Sequence, residues 1–365
     1  MKTPRTANLI LAAAALALLA CARPPRAAAQ RPEAQESAAD KFERGKRLYD
    51  QGDADAALPL LRDAAELRKT DADAWYLYGL ALNRAGQSKE ARKAFEKTAK
   101  LRPGDALAHV GLAYSLLRLD KLPDAEREAD QALSLDPRLA EARYVLGVVR
   151  FAQEKFPQAA EEAEAALKLK PELTAAAYLW GDALLNIYTS EGERLALKYP
   201  LASGAAEAER NAVFAKREPE LEPVKARMRA AAERLDALAA ARPNDPDAPR
   251  WREEAESLRL YGHAGGGGTS AFGTGEVTQR AVITYKPEPG FTEMARKHLV
   301  RGVVRLRAVL GADGRVRNII ALKRLPDGLT EQAIAAAQKI RFQPATINGQ
   351  PVSQFVVLEY RFLVY

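Results

Sequence analysis

Trp75-Tyr76-Leu77-Tyr78-Gly79, followed by Ala91, Phe95 and Pro103, is the stretch on which the fold turns. Its parts recur at a fixed interval. Gly45, Gly79, Ala113, Gly147 and Gly181 are spaced by 34 residues, as are Ala57, Ala91, Ala125 and Ala159, and Leu67, Leu101, Leu135 and Leu169. Pro103, Pro137 and Pro171 keep the same step. Each unit reads as two amphipathic helices. The small residue midway along the first lets the second approach closely, and the late proline ends the second.

A period of this length with these residues resembles the tetratricopeptide repeat. The units fall at 38–71, 72–105, 106–139 and 140–173. A fifth begins at Thr174 with Tyr178 and Gly181 in register and is interrupted after about Tyr188. Its second helix resumes with Ala231, Leu235 and Pro243, which leaves 189–217 as an insertion. Residues 248–261, with Trp251 and Leu258, read as a capping helix. The expectation is an all-α solenoid over 38–261. Such solenoids bind on the concave face made by the first helices. By register that face carries Phe42, Tyr49, Tyr76, Asn83, Arg84, Tyr114, Arg118, Tyr144, Phe151 and Tyr178. An aromatic groove with Arg and Asn suits an extended peptide. The alternative for any one of these rings is packing between helices.

Composition bounds the rest. The chain has 365 residues and a net charge of +7, which raises the question of nucleic acid. The charge is unevenly placed: +2 in the first 22 residues, −3 over 23–276 and +8 over 277–365. Two different modules are joined. The single cysteine, Cys21, excludes an intrachain disulfide and a Cys-based zinc site. The three histidines, His109, His263 and His298, lie far apart, so no metal site and no cofactor is expected.

Lys2 and Arg5 precede an Ala- and Leu-rich run from Ala7 to Ala22, too short for a membrane-spanning helix of roughly 20 residues. This is the pattern of a secretory signal. Leu18-Leu19-Ala20-Cys21 resembles a bacterial lipobox, which implies lipidation of Cys21 and a signal peptide over 1–21. Cleavage after Ala27-Ala28-Ala29 and an uncleaved anchor helix are the alternatives. Residues 22–37, rich in Ala, Pro and Arg, read as a tether, and Gly262–Gly275 as part of a flexible linker over 262–276.

After the linker the apolar period falls from 3.6 toward 2. Thr292–His298 reads as a short helix, Gly302–Leu310 and Arg315–Lys323 as strands, Leu329–Ile340 as a helix and Val352–Val364 as a long strand. A three-residue loop at 311–313 sets Ala308 opposite Val316 and Val304 opposite Ile320, with Gly314 at a bulge. Arg307 then stands opposite Arg317 on a solvent face beside Arg305 and Arg315, a basic patch open to an anionic partner or simply solvated.

Gly302-Val303-Val304, Asp313-Gly314-Arg315-Val316, Leu329 with Ala333 and Ala336, Phe342-Gln343-Pro344-Ala345 and Asn348-Gly349-Gln350-Pro351-Val352 together resemble the TonB C-terminal domain family. Phe291-Thr292 departs from it, because the family commonly has Tyr-Pro there. The resemblance covers about 275–365 and implies a small α+β domain with a three-stranded antiparallel sheet, over 277–365. It also implies a last strand at the sheet edge, where a partner peptide pairs with Val352, Gln354, Val356, Val357, Leu358 and Tyr360. Coverage of that edge by a second copy or by the chain's own linker is the alternative.

The expected function is that of a non-enzymatic adaptor of the bacterial periplasm or cell envelope, lipid-anchored at the outer membrane if the lipobox is used. Its expected partners are envelope proteins or peptides, an outer-membrane transporter segment or a cell-wall polymer, and not nucleic acid. The alternative is TonB-type energy transduction between an inner-membrane motor and outer-membrane transport, the role the family resemblance implies.

Overall fold

Thirty-four-residue spacing becomes a stack of helix pairs. The computed structural model describes residues 36–202, 205–263, 271–273 and 276–363. Cys21, the expected signal segment, most of the tether, residues 264–270 and 274–275 of the expected linker, and Val364 lie outside the described residues. The pairs are α1 (Ala38–Asp50) with α2 (Ala54–Leu67), α3 (Ala72–Arg84) with α4 (Ser88–Leu101), α5 (Ala106–Arg118) with α6 (Leu122–Leu135), and α7 (Ala140–Ala152) with α8 (Phe156–Leu169). Asp53, Asp71 and Asp105 cap α2, α3 and α5 by accepting hydrogen bonds from first-turn N–H groups. Phe95 shows why the small residues recur. Its ring lies so close to the backbones of α3 and α5 that a Cβ at Gly79 or Gly111 would come within 2.9 or 2.4 Å of it.

The fifth pair is longer. Helix α9 (Thr174–Lys198) runs on past Tyr188 and α10 (Glu207–Ala241) starts early, so the expected insertion is largely helical. Leu195 holds the extension by packing in one core with Leu221, Val224 and Met228. Glu220 binds both Arg194 (3.0 Å) and Lys198 (2.8 Å) across the pair. Helix α11 (Ala248–His263) follows, with Trp251 and Leu258 buried rather than on an outer surface.

The C-terminal part comprises β1 (Ala271–Phe272), β2 (Val282–Tyr285), α12 (Glu293–Lys297), β3 (Gly302–Leu310), β4 (Val316–Lys323), α13 (Leu329–Ala337), β5 (Arg341–Gln343), β6 (Ala345–Ile347) and β7 (Gln350–Phe362). The three long strands form the expected antiparallel sheet in the order β7-β3-β4. Two short strands enlarge it: β6 pairs with the start of β7, and β1 lies parallel to Ser353 and Gln354. Strand β1 falls inside the stretch expected to be linker, because Phe272 packs against the apolar cluster of Val277, Ala345 and Ile347. The β6–β7 turn uses Asn348 and Gly349, both at positive φ (53° and 81°), as a two-residue hairpin requires.

The β3–β4 register differs from expectation. Leu310 pairs with Val316 and Arg307 with Ile320, so the loop is 311–315 and Ala308 does not face Val316, nor Arg307 Arg317. The register shifts twice, once at Asn318 (φ 49°) and once between Arg305 and Leu306 opposite Leu322, and not at Gly314, which lies in the turn. The physical reason is that both faces of β4 are buried along Ile319–Leu322. Ile319 and Ala321 face the core with α12 and α13, whereas Ile320 and Leu322 face the repeats. Alternation with one wet face therefore does not set the pairing.

The repeats and the sheet share a core. Val309, Ile320, Leu322 and Phe355 belong to the same buried cluster as Trp180, Leu184, Trp251, Leu258 and Tyr261. The described residues from Ala38 onward form one compact unit.

Candidate functional site: a repeat groove and a sheet edge

The ten groove positions divide by what they touch. Phe42 and Tyr49 pack on the cluster of Leu61 and Ala81, each beneath a guanidinium, Arg68 and Arg84 respectively. Tyr76 meets Phe95 edge-on at 5.8 Å, and burial pushes its hydroxyl up to about 12. Tyr144 packs between two cores, and Phe151 stands edge-on to Phe156 at 5.2 Å. Asn83 accepts from the Ser115 hydroxyl at 3.0 Å. These six side chains are largely taken up by packing and local bonds, whereas Tyr114 and Arg84 stay exposed. The groove is thus not the single open aromatic surface its register suggests.

Arg118 and Tyr178 face the C-terminal domain. Arg118 lies 3.6 Å from Asp327, and the Arg324 guanidinium lies 5.2 Å from the Tyr178 ring centroid. Arg324 then reaches two carboxylates: its Nε donates to Asp182 at 2.6 Å and its Nη2 to Glu254 at 2.9 Å. Both acids are buried, with side chains 6% and 8% exposed. Burial, opposed by Arg324 and reinforced by Glu254, pushes the Asp182 carboxyl up to about 6. One turn on, Asn186 donates to the Leu322 carbonyl at 3.0 Å. The Tyr261 hydroxyl donates to the Asn318 carbonyl at 2.7 Å, which uses the backbone group turned out by the register shift there. Arg307 donates to Thr189 at 2.8 Å and lies against the rings of Tyr188, Tyr261 and Phe355. A cation held over rings in a partly dry site is stabilised by about 0.5–2 kcal/mol.

The sheet edge is the second candidate. Val356, Leu358, Tyr360 and Phe362 pack inward, whereas Val357, Glu359 and Arg361 are exposed on the other face. Strand β3 pairs with β7 from Gln354 to Phe362. On its far side β7 carries β1 at Ser353 and Gln354; among the described residues no strand pairs with Phe355–Phe362 there. Val352 and Gln354 are therefore engaged by β6 and β1, and the remaining edge positions are not. Strand β2 runs alongside with only side chains bridging: Ala281 N–H donates to the Gln354 side chain at 2.7 Å, and Lys286 Nζ to the Glu359 carbonyl at 2.5 Å.

Residues 42–106 and 110–174 match the tetratricopeptide repeat model, and residues 287–363 match the model of the Gram-negative bacterial TonB protein C-terminal domain. The protein carries tetratricopeptide repeats and a TonB C-terminal domain. Among solved structures, the chain is similar to MamA from Desulfovibrio magneticus RS-1, at 24% identity over 51% of this chain and 95% of that one (TM-score 0.37). It is similar to TTC0263, a tetratricopeptide-repeat protein of Thermus thermophilus, at 17% identity over 60% and 99% (TM-score 0.43). A third is YrrB, a repeat protein with an unusual peptide-binding site, at 20% identity over 60% and 93% (TM-score 0.34). No curated protein matched the chain in the sequence comparison.

The TonB domain does not assemble the expected basic patch. Arg307 is enclosed by the repeats, Arg305 lies 3.4 Å from Glu359, and Arg315 and Arg317 both turn to Asp313. Sequence reasoning missed Asp182, Asn186, Glu254, Tyr261 and Arg324. The repeat register holds a signal for two of them: Asp182 falls 68 residues after Tyr114, and Asn186 the same distance after Arg118.

Proposed function

We propose that the protein is a non-catalytic adaptor of the Gram-negative cell envelope that captures an extended partner segment by strand addition to β7. The far side of Phe355–Phe362 carries this reading: among the described residues no strand pairs with it, and only Lys286 reaches its backbone, at the Glu359 carbonyl, so most of the edge remains a template for another strand. The TonB-domain match supports an envelope setting, and tetratricopeptide repeats mediate protein interaction. Export through the segment ending at Cys21, with lipidation there or cleavage before Gln30, belongs to the same proposal. Val357→Pro tests the edge: it is expected to abolish partner capture while the helical signal of the repeats persists, and unchanged capture would count against strand addition.

Energy transduction is the second reading, favoured by the TonB-domain match. The mass of the mature N-terminus separates the two. A lipidated Cys21 or a Gln30 start supports the adaptor. An intact Met1 in the inner membrane supports transduction.

A further inference from the structure

The polar contacts made at the C-terminal end of β4 converge on one place in the groove. Tyr178, Asp182 and Asn186 lie on one face of α9, at groove positions of the fifth unit, and each touches the end of β4 or the residue after it. Arg324 enters as a planar fork: Nε and Nη2 both donate to Asp182 (2.6 and 3.1 Å), while Nη2 is shared with Glu254 (2.9 Å). Tyr178 lines the site from the same helix as Asp182, and Arg250 also lies 5.4 Å from its ring. Two buried carboxylates facing one guanidinium are selective for that ion. A lysine offers a point charge without the fork, and a neutral side chain leaves two buried acids without their hydrogen-bonded cation, Arg250 being the nearest that remains.

We propose that Asp182 and Glu254, with Tyr178, form a guanidinium-binding site of the repeat groove, filled in cis by Arg324. The ligand class of this part of the groove is thus an extended segment carrying an arginine, with a backbone carbonyl two residues earlier for Asn186. Leu322 and Arg324 supply both from within the chain. The site fixes the TonB domain on the repeats, and an arginine-bearing segment of a partner reaches it only by displacing that domain. The inference is independent of strand capture by β7.

The test is chemical rescue in the full chain. Arg324→Ala leaves a guanidinium-shaped vacancy while Val309, Ile320, Leu322 and Phe355 still hold the domain in place. Millimolar methylguanidinium is expected to raise the melting temperature of this variant saturably and to recover at least half of the loss. Methylammonium should not do so, nor should methylguanidinium act on Asp182→Asn/Arg324→Ala. If Arg324→Ala does not fold, Arg324→Lys serves in its place. It is expected to lie below the parent in stability with no gain from methylammonium. Equal effects of the two cations, a linear salt-like response, or full stability of Arg324→Lys would overturn the proposal.

Discussion

The side-chain amide of Asn186 donates to the main-chain carbonyl of Leu322 at 3.0 Å and to that of Asp182 at 2.8 Å, so one buried group joins a repeat helix to a strand 136 residues away. Replacing it with leucine leaves the Leu322 carbonyl without its donor. The expected cost of Asn186→Leu is about 1–3 kcal/mol. Urea midpoints of the full chain measure it. A loss well under that range would mean that water replaces the amide.

A second prediction concerns pH. The Asp182 carboxyl is raised to about 6 by burial, against Arg324 and Arg250 and with Glu254 reinforcing, above the usual aspartate value of 3.8. A raised folded-state value means that the folded chain holds this proton more tightly than the unfolded chain. The stability it contributes is therefore full below the usual value and is lost as pH rises through about 6. Between pH 4.5 and 7 the parent should lose stability from this group, and Asp182→Asn should lose less. Urea melts of both chains at the two pH values provide the check. Parallel pH profiles would contradict the assignment.

At the other end of the contact, Gly86 sits at φ 73°, and a Cβ there would come within 2.1 Å of the His298 ring. His298 Nδ1 in turn lies 2.8 Å from Asp327 Oδ2. Gly86→Ala should cost about 1–3 kcal/mol from the backbone alone, with the clash adding to it. Adding His298→Ala should remove the clash but not the backbone cost. A double-mutant cycle reads the coupling, and additivity of the two changes would show that the turn and the ring are not in contact.

The helical repeats were legible because close helix approach demands a small residue at the same place in every unit, as the ring of Phe95 between Gly79 and Gly111 shows. The TonB domain was legible from its turn residues and alternating strands. The β3–β4 register was not, since Ile319 and Ile320 are both buried and alternation cannot say which face is the core. The docking contact was hidden for a related reason. Arg307 reads as a solvent-facing charge in a strand pattern and Arg324 falls just past the expected strand end at Lys323, and only the fold supplies the rings and carboxylates that enclose them. Groove rings such as Tyr76 and Phe151 sat at positions where packing and binding demand the same residue type.

The most direct test of the central claim is a photocrosslinking scan in cells, with benzoylphenylalanine placed singly at Glu359 and Arg361 of β7 and at Tyr114 of the groove. Strand addition predicts adducts from both β7 positions to one extended segment of the same envelope protein, lost when Val357→Pro is added. Adducts from Tyr114 alone, or β7 adducts that survive Val357→Pro, would contradict it.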